Sequence, residues 1–378
     1  MLQGEKVAQA TQKLSIADQK MFYRPICTES EIQRIFAPKT AMDYLLKMRA
    51  DYIVDHMRIF RFYRRIWLKD ERNYSLEKTF DTKHYRNYRM SLSKADRESL
   101  SEVTYGNIFT QEANGQIFNS PFGRIVTISQ ALNYFLQFSH LALLGFKDEV
   151  PPHIRFRALL IALRVMFEHE SFDFDADPRG KIPPSILKEI RRPIPVQLEF
   201  IAGHEFAHHL LGHLSDERLH DAPESGEEGE KRSVNQLPMY STSEQEELSA
   251  DLTAIMRPMM DHTTRATMLN AALIWLGALE IFQYAQDVIS PRPPGKAKSH
   301  PSARTRHLNL LENVETKFSV AMGEVSDRLI TSIESFKKPV SDFLGFHVEQ
   351  FETYGSFYLD EPNTDWRGRP LIDRVDYY

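Results

Sequence analysis

The chain has 378 residues, of which 42% are hydrophobic and 26% are charged, and its formal net charge is -5 at pH 7. This composition is ordinary for a globular protein that is large enough to bury a substantial core. The acidic balance argues against nucleic acid as a general partner. The single cysteine, Cys27, excludes an intrachain disulfide and a metal site built from clustered thiolates.

No membrane or export segment is visible in the sequence. The first residues lack the apolar stretch of a secretory signal. The two strongest apolar runs, 158–167 and 271–282, are interrupted by Arg164 and Glu280. Both are shorter than the ~18–20 residues that a membrane span requires. We therefore expect buried helices at both runs and a cytoplasmic protein without an integral membrane segment.

In chain order, residues 1–100 predict a helical N-terminal region of unknown role. Residues 1–40 are polar and contain two prolines, which predicts a loosely structured lead-in. The spacing of apolar residues over 41–70 predicts a helix.

Residues 56–90 are locally basic, with ten Lys or Arg against four Asp or Glu, and aromatic side chains are interleaved among them. This pattern can contact RNA, DNA or anionic lipid. It is also the pattern of a solvated helix face whose arginines lie over an aromatic core. The second interpretation is favoured, because no recognised nucleic-acid motif accompanies the charge.

Residues 103–128 form the best candidate for a β-sheet. Asn114 and Gly115 lie between two short β-prone segments, 107–110 and 116–118, and predict a hairpin turn. Residues 124–128 can supply a further strand. An edge strand of such a sheet can bind the backbone of a peptide by strand addition.

The remaining chain is predicted to be mostly helical, so the expected fold class is α+β and predominantly helical. Pro193 and Pro195 predict the start of an apolar helix. We expect a domain over 101–315 that carries the chemistry, and a C-terminal helix with an aromatic tail over 316–378 that packs on the body. The other predicted elements are helices at 129–146, 154–170 and 303–338, and loops at 171–185, 221–232 and 291–299.

The strongest chemical signal is His-Glu-x-x-His at residues 204–208, inside an apolar run. On a helix, His204 and His208 lie on the same face and can grip one metal ion. Glu205 lies one residue along, where it can take a proton from a water molecule at the metal. This is the arrangement of zinc peptidases.

A catalytic zinc ion usually has three protein ligands and one open position. One class of enzymes adds a third histidine after a glycine, at positions that Leu211 and Leu214 occupy here. That class is therefore excluded, and a later carboxylate is needed.

The carboxylate is predicted on a second helix. Ser243 and Glu246 form a capping box that starts a helix. Glu247 and Asp251 are then one turn apart on the same face. We expect Glu247 to be the third ligand and Asp251 to accept a hydrogen bond from a ligating histidine. Glu244 and Glu246 are the competitors for the ligand role.

Here the chain resembles the gluzincin peptidases of the HtpX type. The shared features are Glu-x-x-Ala-Asp at 247–251 and a downstream His-Pro at His300, with an arginine six residues later at Arg306. The order and spacing are also similar to those of the Lit phage-exclusion peptidases, which lack the transmembrane helices of HtpX. The resemblance covers roughly residues 120–315 and does not extend to residues 1–100 or to the C-terminal tail.

The resemblance implies a zincin-like core, with Zn²⁺ held by His204, His208 and Glu247. It implies Glu205 as the general base that later passes its proton to the departing amine. It also implies His300 as a donor to the developing oxyanion, with Arg306 in support.

The expected function is that of a soluble intracellular zinc endopeptidase acting on a protein or peptide, with a phage-defence or toxin-like role. One alternative is a nucleic-acid-binding or regulatory protein in which zinc is structural and residues 56–90 make the contact. Another is a degenerate peptidase scaffold that serves as an interaction module. The presence of Glu205 argues against the degenerate scaffold.

Overall fold

The computed structural model describes residues 15–110, 113–144, 150–167, 182–214, 219–220, 239–240, 243–291, 301–318 and 322–354. These residues are predominantly helical and contain one small sheet, which confirms the predicted α+β class. The main hydrophobic core runs from Ile26 to Leu344 and includes side chains from all three predicted regions. The boundaries at 100 and 315 stay predictions.

The helices are α1 (Ile16–Tyr23), α2 (Glu29–Phe36), α3 (Ala41–Asp55), α4 (Met57–Lys69), α5 (Lys83–Ser91), α6 (Lys94–Ser99), α7 (Leu132–Leu143), α8 (Pro152–Met166), α9 (Pro184–Arg191), α10 (Ile194–Leu210), α11 (Glu244–Met256), α12 (His262–Ile289), α13 (Ala303–Phe318) and α14 (Gly323–Tyr354). The strands are β1 (Thr104–Ile108), β2 (Gly115–Ser120), β3 (Gly123–Ser129), β4 (Leu219–His220) and β5 (Met239–Tyr240).

The sheet has the strand order β1-β3-β2-β5-β4. Strand β1 runs parallel to β3, with Thr104 opposite Ile125. Strand β2 is antiparallel to β3, and β5 pairs with β2 at Phe118 opposite Met239. The short strands β4 and β5 come from the chain between α10 and α11, so this connection returns to the sheet.

The predicted hairpin at Asn114 and Gly115 is wrong, because β1 pairs with β3 and not with β2. The hairpin is formed by β2 and β3 instead. Its turn is closed by Ser120, whose Oγ donates to the carbonyl of Gly123 at 2.7 Å and accepts from the backbone N–H of Phe122 at 3.1 Å. Gly123 has φ +119°, a conformation that glycine adopts at little cost. The predicted strand at 124–128 is confirmed.

The sheet lies between α3 on one face and α10 on the other. Alternate side chains explain this layering, because successive residues of a strand point to opposite faces. The face towards α3 is a small apolar cluster of Ile108, Phe118, Ile125, Ala41, Leu45 and Met48. The opposite face contributes Ile117, Val126 and Ile128 to the main core.

Helix α10 is buried along most of its length, because it packs against β2, β3, α5, α11 and α12. Gly203 permits the approach of α5, since a Cβ at this position would overlap the ring of Tyr88. The Tyr88 hydroxyl donates to the carbonyl of Ala254 in α11 at 3.2 Å. Tyr88 therefore fixes α5, α10 and α11 relative to one another.

Several predicted helix boundaries are wrong. The single helix expected over 41–70 is two helices, α3 and α4, with a break at His56, which has φ -118° and ψ 98°. The single helix expected over 303–338 is also two, α13 and α14, and α14 runs on past Pro339. Pro339 is exposed, so water can bond the backbone carbonyl that the proline leaves without a helix partner.

The lead-in predicted over 1–40 contains helices α1 and α2 within its described part. The apolar spacing in the sequence does not reveal α2, because this helix has only 8 residues. Thr28 and Glu31 form a full capping box at its start. Its apolar residues Ile32 and Ile35 are buried in the core. Local capping and two anchoring side chains are enough to order this segment.

The aromatic residues of the basic segment 56–90 belong largely to the core. Tyr63, Tyr74, Tyr85 and Tyr88 are buried. The guanidinium of Arg64 lies 4.2 Å from the centre of the Trp67 ring. These contacts agree with arginines that lie over an aromatic core, the favoured interpretation of this segment.

Helix α12 is the one candidate membrane span among the described residues by length and composition, with a mean hydropathy of 1.3 in its most apolar stretch. Because 72% of that stretch is buried inside the protein, α12 has the burial of a core helix. The buried helix predicted at 271–282 lies within α12. The remaining predicted helices correspond to α7 and α8. The predicted loop at 221–232 lies outside the described residues, as do most of the loops predicted at 171–185 and 291–299 and the predicted aromatic tail beyond residue 354. The last two residues of the loop predicted at 171–185 belong to α9.

The close approach of α5 to α10 at Gly203 can be tested by substitution. Gly203→Ala should destabilise the protein by about 1–3 kcal/mol, because the new methyl group must displace the Tyr88 ring from a packed core. Chemical denaturation of the purified variant measures this. The matched control is Gly345→Ala in α14, where a Cβ meets no atom within 4 Å. The control should be neutral or more stable by up to about 1 kcal/mol. Equal stability of the two variants would contradict the packing described here.

Candidate metal centre

The two histidines of the motif are buried on one face of α10. His204 is 1% exposed and His208 is 3% exposed. Their Nε2 atoms lie 3.1 Å apart. Both rings are removed from water, so two imidazole nitrogens this close together need a proton or a cation between them as a partner. The helical spacing of four residues thus aims both nitrogens at one point.

Glu247 reaches the same point from α11. This helix starts as predicted, because Ser243 accepts a hydrogen bond from the N–H of Glu246 and the Glu246 carboxylate accepts one from the N–H of Ser243. The Glu247 Oε2 atom lies 3.4 Å from Nε2 of His204, and Oε1 lies 3.4 Å from Nε2 of His208. One ligand atom from each of the three side chains lies within 4.8 Å of the others, so the group could hold a metal ion.

Asp251 lies behind His204, one turn along α11 from Glu247. The Nδ1–H of His204 donates to Oδ1 of Asp251 at 2.9 Å. This bond keeps a proton on Nδ1, so Nε2 is the nitrogen that faces the other two side chains and would bind a cation. The role predicted for Asp251 therefore has the geometry that it requires.

Arg306 of α13 completes a buried ion pair with Asp251. Its Nε donates to Oδ2 and its Nη2 donates to Oδ1, both at 2.7 Å. Its guanidinium lies 5.0 Å from the centre of the Trp275 ring. The Trp275 indole N–H donates to the carbonyl of Ala113 just before β2, at 3.1 Å. Arg306 thus connects α10 and α11, the helices of the three candidate ligands, to α12 and to the start of β2.

These contacts set the charges in the site. Burial opposes the ionised form of Asp251, but the Arg306 guanidinium and the His204 ring hold the pKa of this carboxyl below its usual range. Burial also opposes charge on His204, but Asp251 outweighs it and raises the His204 pKa to about 10. Burial and the neighbouring His204 lower the pKa of His208 to about 3. His208 is therefore a neutral imidazole at pH 7, the form that binds a metal.

Glu205 is part of α10, and its side chain lies against Gly115, the first residue of β2. Glu205 is 4% exposed. A Cβ on Gly115 would come within 2.6 Å of Cγ and 2.8 Å of Oε1 of Glu205. The glycine therefore lets this carboxylate lie directly against the backbone at the start of β2, on the face of the sheet towards α10. His209, the next histidine of α10, turns away from the site, and its Nδ1 faces Arg124 at 3.0 Å.

The structure brings five of the seven predicted site residues into one buried cluster: His204, Glu205, His208, Glu247 and Asp251. Arg306 joins the cluster through Asp251 and contacts the back of His204, with Nη2 3.4 Å from Nδ1. His300 lies outside the described residues, so its predicted role as an oxyanion donor, and support for it from Arg306, stay predictions.

Two contributors were missed by sequence reasoning. Gly115 was interpreted as half of a hairpin turn, and no local signal distinguishes a turn glycine from one that admits a carboxylate. Trp275 lies within an apolar run and has the pattern of plain core packing. Its role comes from the Arg306 side chain, which is distant in sequence, so the sequence alone carried no signal for it.

Comparisons with protein-family models, with curated proteins and with solved structures found no match.

The geometry predicts which side chains a bound metal requires. The purified protein should contain about one metal ion per chain, and His204→Ala and Glu247→Ala should each lose most of it, because three protein ligands are the usual minimum. Elemental analysis of dialysed protein measures this. His209→Ala is the matched control in the same helix and should keep the ion. A folded His204→Ala variant with full metal content would contradict the assignment.

The raised pKa of His204 gives metal binding a defined pH dependence. At pH 7 this ring carries a proton on both nitrogens, since its pKa is about 10. A metal ion must displace the proton on Nε2, so binding weakens as the pH falls, by up to about tenfold per pH unit. Calorimetric titration in buffers of different ionisation enthalpy should detect about one proton released per ion. A binding constant that does not vary between pH 6 and 8 would be inconsistent with this charge assignment.

Proposed function

We propose that this protein is a zinc-dependent endopeptidase. The proposal is carried by one observation, the convergence of two buried imidazoles and a carboxylate, with the buried Glu205 next to His204 in α10. A catalytic rather than a structural zinc site is favoured, because the described residues supply three protein ligands and catalytic zinc keeps a fourth position open. The resemblance of the motifs to gluzincins of the HtpX and Lit type, and with it a zincin-like core, belongs to the same proposal.

The donor set and its spacing fit zinc. In a tetrahedral zinc site with bonds of about 2.0–2.1 Å, ligand atoms lie roughly 3.3 Å from one another. The distances of 3.1 Å between the two imidazoles and 3.4 Å from each imidazole to Glu247 agree with this spacing. Nitrogen and oxygen ligands in this ratio are typical of catalytic zinc.

The charge of the site also fits a divalent cation. Glu205, Glu247 and Asp251 are buried carboxylates, and Arg306 is the buried guanidinium that pairs with one of them. In ionised form these four side chains carry a formal charge of -2. Buried charges require compensation, and one Zn²⁺ ion would provide it.

A bound zinc ion would supply a Lewis acid and would lower the pKa of water towards ~7. Glu205 is the residue that would take a proton from the attacking water and would return it to the departing amine. The Glu205 carboxylate lies against Gly115, the first residue of β2. Asp251 and Arg306 act indirectly, since they hold the ring of His204 in one orientation.

The edge of β2 is the proposed place for the substrate backbone. In the described residues β5 pairs with β2 at Phe118, and the substrate is proposed to pair with β2 nearer to its first residue. The end at Gly115 is the one that lies against the carboxylate. A peptide added as a strand there would present its carbonyl groups to the site. The substrate class proposed is therefore an extended segment of protein.

A phage-defence or toxin-like role is proposed from the resemblance to the Lit peptidases alone. The alternative is a regulatory or nucleic-acid-binding protein with a structural zinc ion. The two functions differ in what they require of Glu205. A structural site does not need this carboxylate, whereas hydrolysis does.

The test is therefore Glu205→Gln, which keeps the size of the side chain but removes the base. We expect zinc content and folding to be unchanged and cleavage to fall by at least ~100-fold. Proteins from cells that express wild type or the variant should be compared by N-terminal proteomics. New termini that appear only with wild type would identify the substrate.

Glu244→Gln is a matched control, since this glutamate is exposed in the first turn of α11. It should cleave as wild type does. If Glu205→Gln retains full cleavage of a verified substrate, the general-base role is excluded. If wild type yields no new termini although it binds zinc, the structural-zinc alternative is favoured.

A further inference from the structure

The C-terminus of α10 has a specific capping geometry. Gly212 adopts φ +72°, a left-handed conformation that favours glycine. Its N–H donates to the carbonyl of His209 at 3.1 Å, and the N–H of His213 donates to the carbonyl of His208 at 3.0 Å. These two bonds define a Schellman motif, in which the residue after the left-handed glycine folds back over the last turn of the helix.

The motif returns His213 to the metal ligand itself. Besides the backbone bond, Nδ1 of His213 lies 3.1 Å from Nδ1 of His208. The other nitrogen of His208, Nε2, faces His204 and Glu247. With Nε2 committed to a metal, the proton of His208 resides on Nδ1 and is donated to His213.

We propose that His213 is a positioning residue for His208. It accepts the Nδ1–H of His208 and so fixes the tautomer and the ring angle that present Nε2 to the metal. Each ligating histidine then has its own acceptor, Asp251 for His204 and His213 for His208. This inference rests on the proposed function, because it assumes a metal at the site.

The two acceptors differ in a way that matters for the metal. Asp251 is an ionised carboxylate paired with Arg306, and it comes from a different helix. His213 lies in the turn directly after the helix that carries His208, and this turn depends on Gly212. The hydrogen-bond partner of His208 is therefore supplied by the turn that ends α10.

The experiment measures zinc affinity by competition with a chromophoric chelator for the wild-type protein and three variants. His213→Ala should weaken zinc binding about 10–100-fold, the usual effect of losing a partner of a ligating histidine. His213→Asn should recover most of the affinity, because its amide oxygen can accept the same hydrogen bond. His209→Ala is the control, since this ring faces Arg124, and its affinity should equal that of wild type.

The visible spectrum of the Co²⁺-substituted protein gives a second measurement that a merely structural role would not change. The ligand-field bands should shift in His213→Ala and return towards wild type in His213→Asn. If His213→Ala does not fold, Gly212→Ala replaces it, because a methyl group at φ +72° disfavours the turn that delivers His213.

The outcomes separate this inference from the proposed function. Wild-type protein that binds zinc tightly, with unchanged affinity and spectrum in His213→Ala, would overturn the role of His213 alone. Weak binding in both His213→Ala and His213→Asn would also overturn it, since the hydrogen bond would not be the cause. Wild-type protein that binds no metal would overturn both.

Discussion

The structure of the site depends on the buried hydrogen bond and ion pair in which Asp251 joins His204 to Arg306. All three side chains are at most 2% exposed. Breaking such a pair by removing one partner leaves an uncompensated charge and commonly costs about 3–5 kcal/mol. The contact therefore specifies one arrangement of α10, α11 and α13. Because Glu247 lies one turn from Asp251, the same contact brings its carboxylate to the two imidazoles.

The sheet and the N-terminal helices support this arrangement from the other side. Gly115 allows Glu205 to lie against β2, and Gly203 allows α5 to lie against α10. At both positions a side chain would push apart two elements that meet at the site. The N-terminal region, whose role the sequence leaves open, therefore has at least one physical function. Its helix α5 packs against α10, and Tyr88 connects α10 to α11.

The parts of the site that could be predicted are those encoded by local spacing. His204 and His208 are one turn apart, as are Glu247 and Asp251, and the capping box at Ser243 marks where α11 begins. What could not be predicted depends on contacts between distant segments. The parallel pairing of β1 with β3 overrides the Asn-Gly turn signal, and Trp275 acquires its contact with Arg306 only through packing. The break at His56 shows that continuous apolar spacing does not ensure a continuous helix.

The most direct measurement of the central claim is anomalous diffraction from crystals of the wild-type protein grown with zinc, with data collected on both sides of the zinc absorption edge. The account predicts one anomalous peak per chain, located between Nε2 of His204, Nε2 of His208 and the Glu247 carboxylate. Zinc bound only at other residues, or a triad without an anomalous peak, would contradict it.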